Sequence, residues 1–224
     1  MRANQTISKH RVADHGEVFT ALREVNAMLD LVKPETERID SRFLEPACGD
    51  GNFLVEILRR KLAVVKSRYR KNSDDYERYA VIAVSSVYGV ELLPDNAHKC
   101  RERLFKIFDS EYTENCRKTA NDETREAVRY ILRQNIICGD TLTMKDQRGN
   151  PIIFSEWAAI NGYLIKRRDY VFKELVEQES GDQMINNDIG QTAFIPKEIL
   201  NFPPIHYRKV QQYERKANQI IQHR

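Results

Sequence analysis

The sequence predicts an α/β fold, in which short apolar strands alternate with amphipathic helices around one mostly parallel sheet. Three observations predict it. Phe43-Leu44 runs into a Gly49-Asp50-Gly51 turn, after which Phe53, Leu54, Ile57, Leu58 and Leu62 recur at helical spacing. The β-rich stretch from Ala80 to Val90 closes on Tyr88-Gly89-Val90-Glu91-Leu92, and Pro94 and Asp95 then open a helix. Asn135-Ile136-Ile137-Cys138 follows another helical pattern, from Asp122 to Arg133, and ends in Gly139-Asp140. Strand–helix–strand–helix–strand order calls for right-handed crossovers and parallel pairing, with any ligand over the carboxyl ends of the strands.

Taken in order, residues 1–15 are polar and are expected to be loosely held. Leu22, Val25, Leu29 and Val32 step at helical intervals, and Thr20 is the expected N-cap. The helix after the glycine turn runs to about Tyr69, and the charged piece Arg70–Tyr79 reads as a turn and a short helix. Arg59, Arg60, Lys61, Lys66, Arg68, Arg70 and Lys71 form either a DNA-facing surface or a solvated helix face. The Pro94 helix carries Ala97, Cys100, Leu104, Phe105 and Phe108 on its inner side. Beyond the third strand, Ile152–Trp157 and Gly162–Arg168 alternate like a hairpin around Ala159-Ile160-Asn161. Asp169–Glu179 reads as a helix with Val171, Phe172, Leu175 and Val176 inward, and Ser180–Gln191 as a polar loop. A last helix carries Val210, Tyr213, Ala217, Ile220 and Ile221 on one stripe, which reads more readily as core packing than as a partner surface but is the best dimer candidate in the sequence. The division expected is a flexible N-terminus at 1–15, a core at 16–145 and an α/β appendage at 146–224.

Composition narrows the class. Charged residues make up 31% and hydrophobic ones 41% of 224 residues, as in a soluble globular chain with a real core. The longest apolar runs, such as Leu62–Val65, are far too short to cross a membrane. The N-terminal segment lacks the apolar centre of a secretory signal. Cys48, Cys100, Cys116 and Cys138 are widely spaced, which suggests neither a zinc site nor a disulfide framework but a reduced cytoplasm. With 36 bases against 33 acids, the net charge of +3 permits nucleic acid as a partner without demanding it.

The chemistry concentrates at Glu45-Pro46-Ala47-Cys48-Gly49-Asp50-Gly51-Asn52-Phe53-Leu54. The glycines let the backbone turn sharply and approach a ligand, and the following helix aims its N–H groups at it. Glu45 and Asp50 put negative charge beside the turn, which repels a phosphate and holds an amine-bearing ligand. An aminoacyl nucleoside therefore suits the loop better than a dinucleotide. Glu91, at the end of the second strand, is placed to accept hydrogen bonds from two ribose hydroxyls. Alone, a glutamate after a strand is surface charge more often than a ligand.

These residues resemble the S-adenosylmethionine loop of bacterial adenine-N6 DNA methyltransferases of restriction–modification type. The resemblance extends to Gly16-Glu17-Val18-Phe19-Thr20, to Gly89-Val90-Glu91-Leu92 and to Gly139-Asp140-Thr141-Leu142. It implies a Rossmann-like class I methyltransferase core, carried whole or in part, with S-adenosylmethionine as cofactor. Phe19 and Thr20 would lean on its methionine end, and the loop residues Glu45, Pro46, Ala47, Cys48, Gly49, Asp50, Gly51 and Phe53 would surround it. Glu91 would take the ribose, Leu92 would flank the adenine, and Asp140, with Thr141 and Leu142, would receive the adenine amino group. The family has proline where this chain has Ala21.

The family also activates the poorly nucleophilic adenine amine with an Asn/Asp-Pro-Pro-Tyr/Phe loop. Residues 143–224 contain none; the nearest string, Asn201-Phe202-Pro203-Pro204-Ile205-His206-Tyr207, has its letters in another order. No catalytic residue is therefore assigned. The expectation is the cofactor-binding portion of such an enzyme, acting on DNA through a complementing methyltransferase or restriction subunit, or as a homodimer. An inactive subunit that binds cofactor or DNA and supports a partner is the alternative, and a methyltransferase for protein or small molecules a third reading.

Overall fold

The computed structural model describes residues 20–177, 185–186, 192–193 and 197–214. Helix α1 (Leu22–Asp30) and the single turn α2 (Lys33–Thr36) lead to β1 (Phe43–Glu45). Two helices follow, α3 (Asn52–Tyr69) and α4 (Ser73–Ser85), before β2 (Val87–Glu91). Two more, α5 (Pro94–Cys116) and α6 (Asp122–Asn135), precede β3 (Ile136–Asp140). The sheet order is β1-β2-β3-β4, parallel except for β4 (Lys145–Asp146), which turns back on β3. Among the described residues no strand pairs with the outer edge of β1. The Phe43 N–H bonds inward to the Ser86 carbonyl at 3.0 Å, so the next residue, Leu44, turns its backbone groups outward, and its side chain is 44% exposed.

The four long helices pack on one another on one face of the sheet. Gly89 explains how closely. A Cβ there would lie 2.8 Å from Cys48 Sγ and 2.9 Å from Leu54 Cδ1, so only glycine lets α3 and the glycine turn settle on β2. Tyr88, on the opposite face by alternation, donates its hydroxyl to the Ser155 carbonyl at 3.0 Å. It meets the Phe154 ring edge-on. The hairpin that carries Ser155 and Phe154 thus packs on the face of β2 opposite Gly89, and it also meets α4 and α6. The hairpin is β5 (Ile153–Ala159) and β6 (Leu164–Val171), with β9 (Leu200–Asn201) and β10 (Ile205–His206) added to β6. A separate two-stranded pair joins β7 (Ile185–Asn186) and β8 (Thr192–Ala193).

Several expectations are corrected. Ala80–Ser85 is the end of α4, not part of a strand: its Val81, Ala83 and Val84 are wholly buried among helices, and that packing overrides their β-branched preference. Asn72 starts α4 by accepting from the N–H groups of Asp74 and Asp75. The N-cap of α1 is Ala21, not Thr20, and Glu24 returns its carboxylate to the Ala21 N–H at 3.1 Å. Asp169–Val171 belongs to β6, and α7 (Phe172–Glu177) buries Phe172 but leaves Leu175 and Val176 exposed. Val210 and Tyr213 are wholly buried in this chain, so they are core and not a dimer surface; Ala217, Ile220 and Ile221 lie outside the described residues.

Two buried polar clusters tie these elements together. Glu77 of α4, 2% exposed, accepts from the hydroxyls of Tyr112 and Tyr207, from Arg208 Nε (each 2.5 Å) and from Asn121 Nδ2 at 3.1 Å. On β6, Arg167 and Asp169 pair through two hydrogen bonds of 2.7 and 2.8 Å, and Arg167 reaches Tyr130 and Gln134 of α6. Lys61, wholly buried on α3, donates to the carbonyls of Arg38, Ile39 and Ser41 and so fixes the turn before β1.

Candidate functional site

The glycine turn connects the end of β1 to the first turn of α3, at the carboxyl edge of the parallel strands. It folds back on β2: the Cys48 N–H donates to the Val90 carbonyl at 2.9 Å, and the Gly51 N–H to the Cys48 carbonyl at 2.8 Å. Gly51 has φ +93°, and a Cβ on it would lie 2.6 Å from Cys100 Sγ, so conformation and packing both demand glycine. No side chain caps α3 at Gly51, which leaves the positive end of that helix open toward the site.

Glu91 is 8% exposed and holds two loops at once. Its Oε2 accepts from the Gly49 N–H at 2.8 Å and its Oε1 from the Leu93 N–H at 3.0 Å. A carboxylate has about four acceptor positions, so two remain for a ligand's hydroxyls. Glu45 is half-buried; burial pushes its carboxyl up from its ordinary value, opposed by a backbone hydrogen bond at Ala47. An ammonium beside it would relieve that cost. Thr141 Oγ1 donates to the Pro46 carbonyl at 2.5 Å, joining the loop after β3 to the glycine turn. Asp140 accepts from the Leu142 N–H at 2.8 Å and from Thr143 Oγ1 at 3.0 Å, so its carboxylate closes its own turn. Leu92 and Leu142 are 53% and 94% exposed and give this edge an apolar margin.

Thr20 joins the group through its carbonyl, which accepts from Asn52 Nδ2 at 3.2 Å. The Thr20 carbonyl, the stretch from Glu45 to Phe53, Glu91 and Asp140–Leu142 are thus linked directly or through short turns. Two residues behave otherwise. Cys48 is buried against the helices, and its contact with Cys100, together with burial, pushes its thiol far up. Asp50 is ion-paired, with Oδ1 2.6 Å from Arg103 Nη1 although Oδ1 makes no hydrogen bond. Phe19 lies outside the described residues. Sequence reasoning missed Arg103, which also donates to the Asp50 carbonyl at 2.8 Å and to Asn52 Oδ1 at 2.9 Å. Only its place on the helix after β2 could have pointed to it. The Asn201–Tyr207 string is structural: Phe202 and Tyr207 are buried, and Asn201 lies on β9 and donates to Glu198 at 2.6 Å.

Among the described residues no helix is long and apolar enough to cross a membrane. No curated protein and no solved structure matches the chain. Over residues 21–222 the sequence matches the family model described as MmeI, DNA-methyltransferase domain, and the chain belongs to that family.

Proposed function

We propose that this chain is the S-adenosylmethionine-binding portion of an adenine-N6 DNA methyltransferase of a restriction–modification system, built on a Rossmann-like class I core and working in a bacterial-type cytoplasm. One observation carries the reading: at the carboxyl ends of three parallel strands, Glu91 and Thr141 fasten the second and third loops to the glycine turn. When bound, the cofactor supplies an electrophilic methyl group. Glu91 would orient its ribose, Glu45 would face the ammonium group, and Leu92 and Leu142 would flank its base. Asp50, held by Arg103, shapes the turn from behind.

The target amine needs an acceptor that withdraws its protons and an aromatic ring that stacks on the flipped base. The described residues offer no such loop at this edge, and the open side of β1 is where another chain's strand would bring one. The structural use of Phe202 and Tyr207 also favours the second reading, an inactive subunit that supports a partner.

Methyl transfer tests the proposal. Purified chain with labelled S-adenosylmethionine is expected to leave adenine-rich DNA unlabelled. Adding a polypeptide that carries an apolar strand and an Asn-Pro-Pro-aromatic loop is expected to place label on adenine N6. Robust transfer by the chain alone would overturn the split arrangement, and loss of that transfer in Asn201→Ala would move catalysis to the 201–207 segment.

A further inference from the structure

On the outer side of the helical layer, α3 and α5 enclose a groove of about 690 Å³. Arg59, Arg103 and Lys106 line it, over a floor of Val55, Ala63 and Ile107. Several cations on these two helices have acids: Arg60 has Asp30 and Glu56, Lys66 has Glu111 and Glu114, and Lys99 has Asp95. Arg59 and Lys106 have no acidic partner among the described residues, although they stand on facing helices. The groove's own acid, Glu111, is committed to Lys66. Arg103 is held by Asp50 and Asn52 through its two Nη atoms, and among the described residues its Nε–H has no hydrogen-bond acceptor. A guanidinium fixed in place with a donor to spare is prepared for an anion.

We propose that this groove binds phosphate esters, with Arg59, Arg103 and Lys106 as the anion-holding residues and the apolar floor under the rest of the ligand. Arg59 and Lys106 carry unmatched positive charge on the same concave surface as Arg103, and a phosphate there would offset it. The proposal does not rest on the cofactor reading, although Arg103 joins the two places through Asp50; the double variant that tests it therefore leaves Arg103 intact. Two sources share this chemistry, the backbone of nucleic acid and the phosphates of a free nucleotide.

Titration of the purified chain with inorganic pyrophosphate and, separately, with a short DNA duplex tests it. The double variant Arg59→Glu/Lys106→Glu is expected to weaken pyrophosphate binding by about tenfold or more, at an unchanged melting temperature, since neither side chain is packed. If the groove tracks nucleic acid, duplex binding weakens too, and its log–log salt slope falls by about two, one per lost phosphate contact. If it takes a nucleotide, only the pyrophosphate arm responds. The same charge change at Arg23 and Lys145, which do not line the groove, is expected to leave pyrophosphate affinity unchanged. Unaltered affinity for both probes in the double variant, equal weakening by the control variant, or no binding of either probe at millimolar concentration would overturn the proposal.

Discussion

Replacing Glu77 with alanine is expected to cost about 3–5 kcal/mol of stability, because it leaves the buried end of Arg208 and two tyrosine hydroxyls facing an empty site. Glu77 is where α4, the end of α5, the turn at Asn121 and the segment Tyr207–Lys209 converge. Denaturant melts measure the loss. Glu77→Gln should keep the shape and part of the hydrogen bonding, and so fall between parent and alanine variant. Burial by itself raises the Glu77 pKa; the hydrogen bonds from Arg208, Tyr112 and Tyr207 outweigh it and hold the carboxyl below its ordinary 4.5. The unfolded chain therefore binds the proton first on acidification. The contribution of Glu77 is present above the ordinary value and is lost as pH falls through the lower folded one. Below about pH 4.5 the parent should thus lose stability faster than Glu77→Gln. Parallel pH profiles for the two would contradict this account of the cluster.

Asp169→Ala is expected to destabilise by about as much, 3–5 kcal/mol, because Arg167 is only 6% exposed and its charge would lose its one buried acid. Arg167 also lies over the Phe202 ring at 4.9 Å, and Ser155 Oγ donates to Asp169 at 2.8 Å. Removing both charges should be milder than removing one. Arg167→Met/Asp169→Leu replaces the pair with apolar groups of similar reach, which for buried pairs is often nearly neutral. The double-mutant cycle therefore should show strong coupling. If Asp169→Ala and the double variant melt alike, the pair is not what holds the hairpin to α6.

The same pair shows why part of the fold was hidden in the sequence. On β6 the inward positions are Ile165, Arg167 and Asp169, so a buried strand presents as Lys-Arg-Arg-Asp and its end reads as the start of a helix. Pattern alone cannot separate a solvated charge from one satisfied across the core. The end of α4 misled in the opposite way: Val81, Ile82 and Val84 suggest a strand, yet helices packed together wholly bury Val81 and Val84. The N-cap signal at Asn72-Ser73-Asp74-Asp75 was present and would have set that helix correctly.

The strand ends were legible because their constraints are local. Gly51 takes the positive φ that a glycine turn allows, and Glu91 closes β2, which the Tyr88-Gly89-Val90-Glu91 run already suggested. Arg103 was not legible, since its hold on Asp50 arises only when α5 packs beside α3. The terminal stripe left two readings open, core packing and a partner surface, and Val210 and Tyr213 take the first. Tyr213 donates its hydroxyl to the carbonyls of Ile165 and Pro203, and so packs onto the chain's own hairpin.

The central claim is that the linked strand ends hold S-adenosylmethionine, and calorimetric titration with its stable product S-adenosylhomocysteine tests it most directly. One site per chain is predicted, and its affinity should be unchanged in Arg59→Glu/Lys106→Glu, because neither side chain lies at the strand ends. Glu91→Ala should weaken the site by about 1–3 kcal/mol, the penalty for leaving polar partners unsatisfied. A folded parent chain that gives no heat at millimolar S-adenosylhomocysteine would contradict the account.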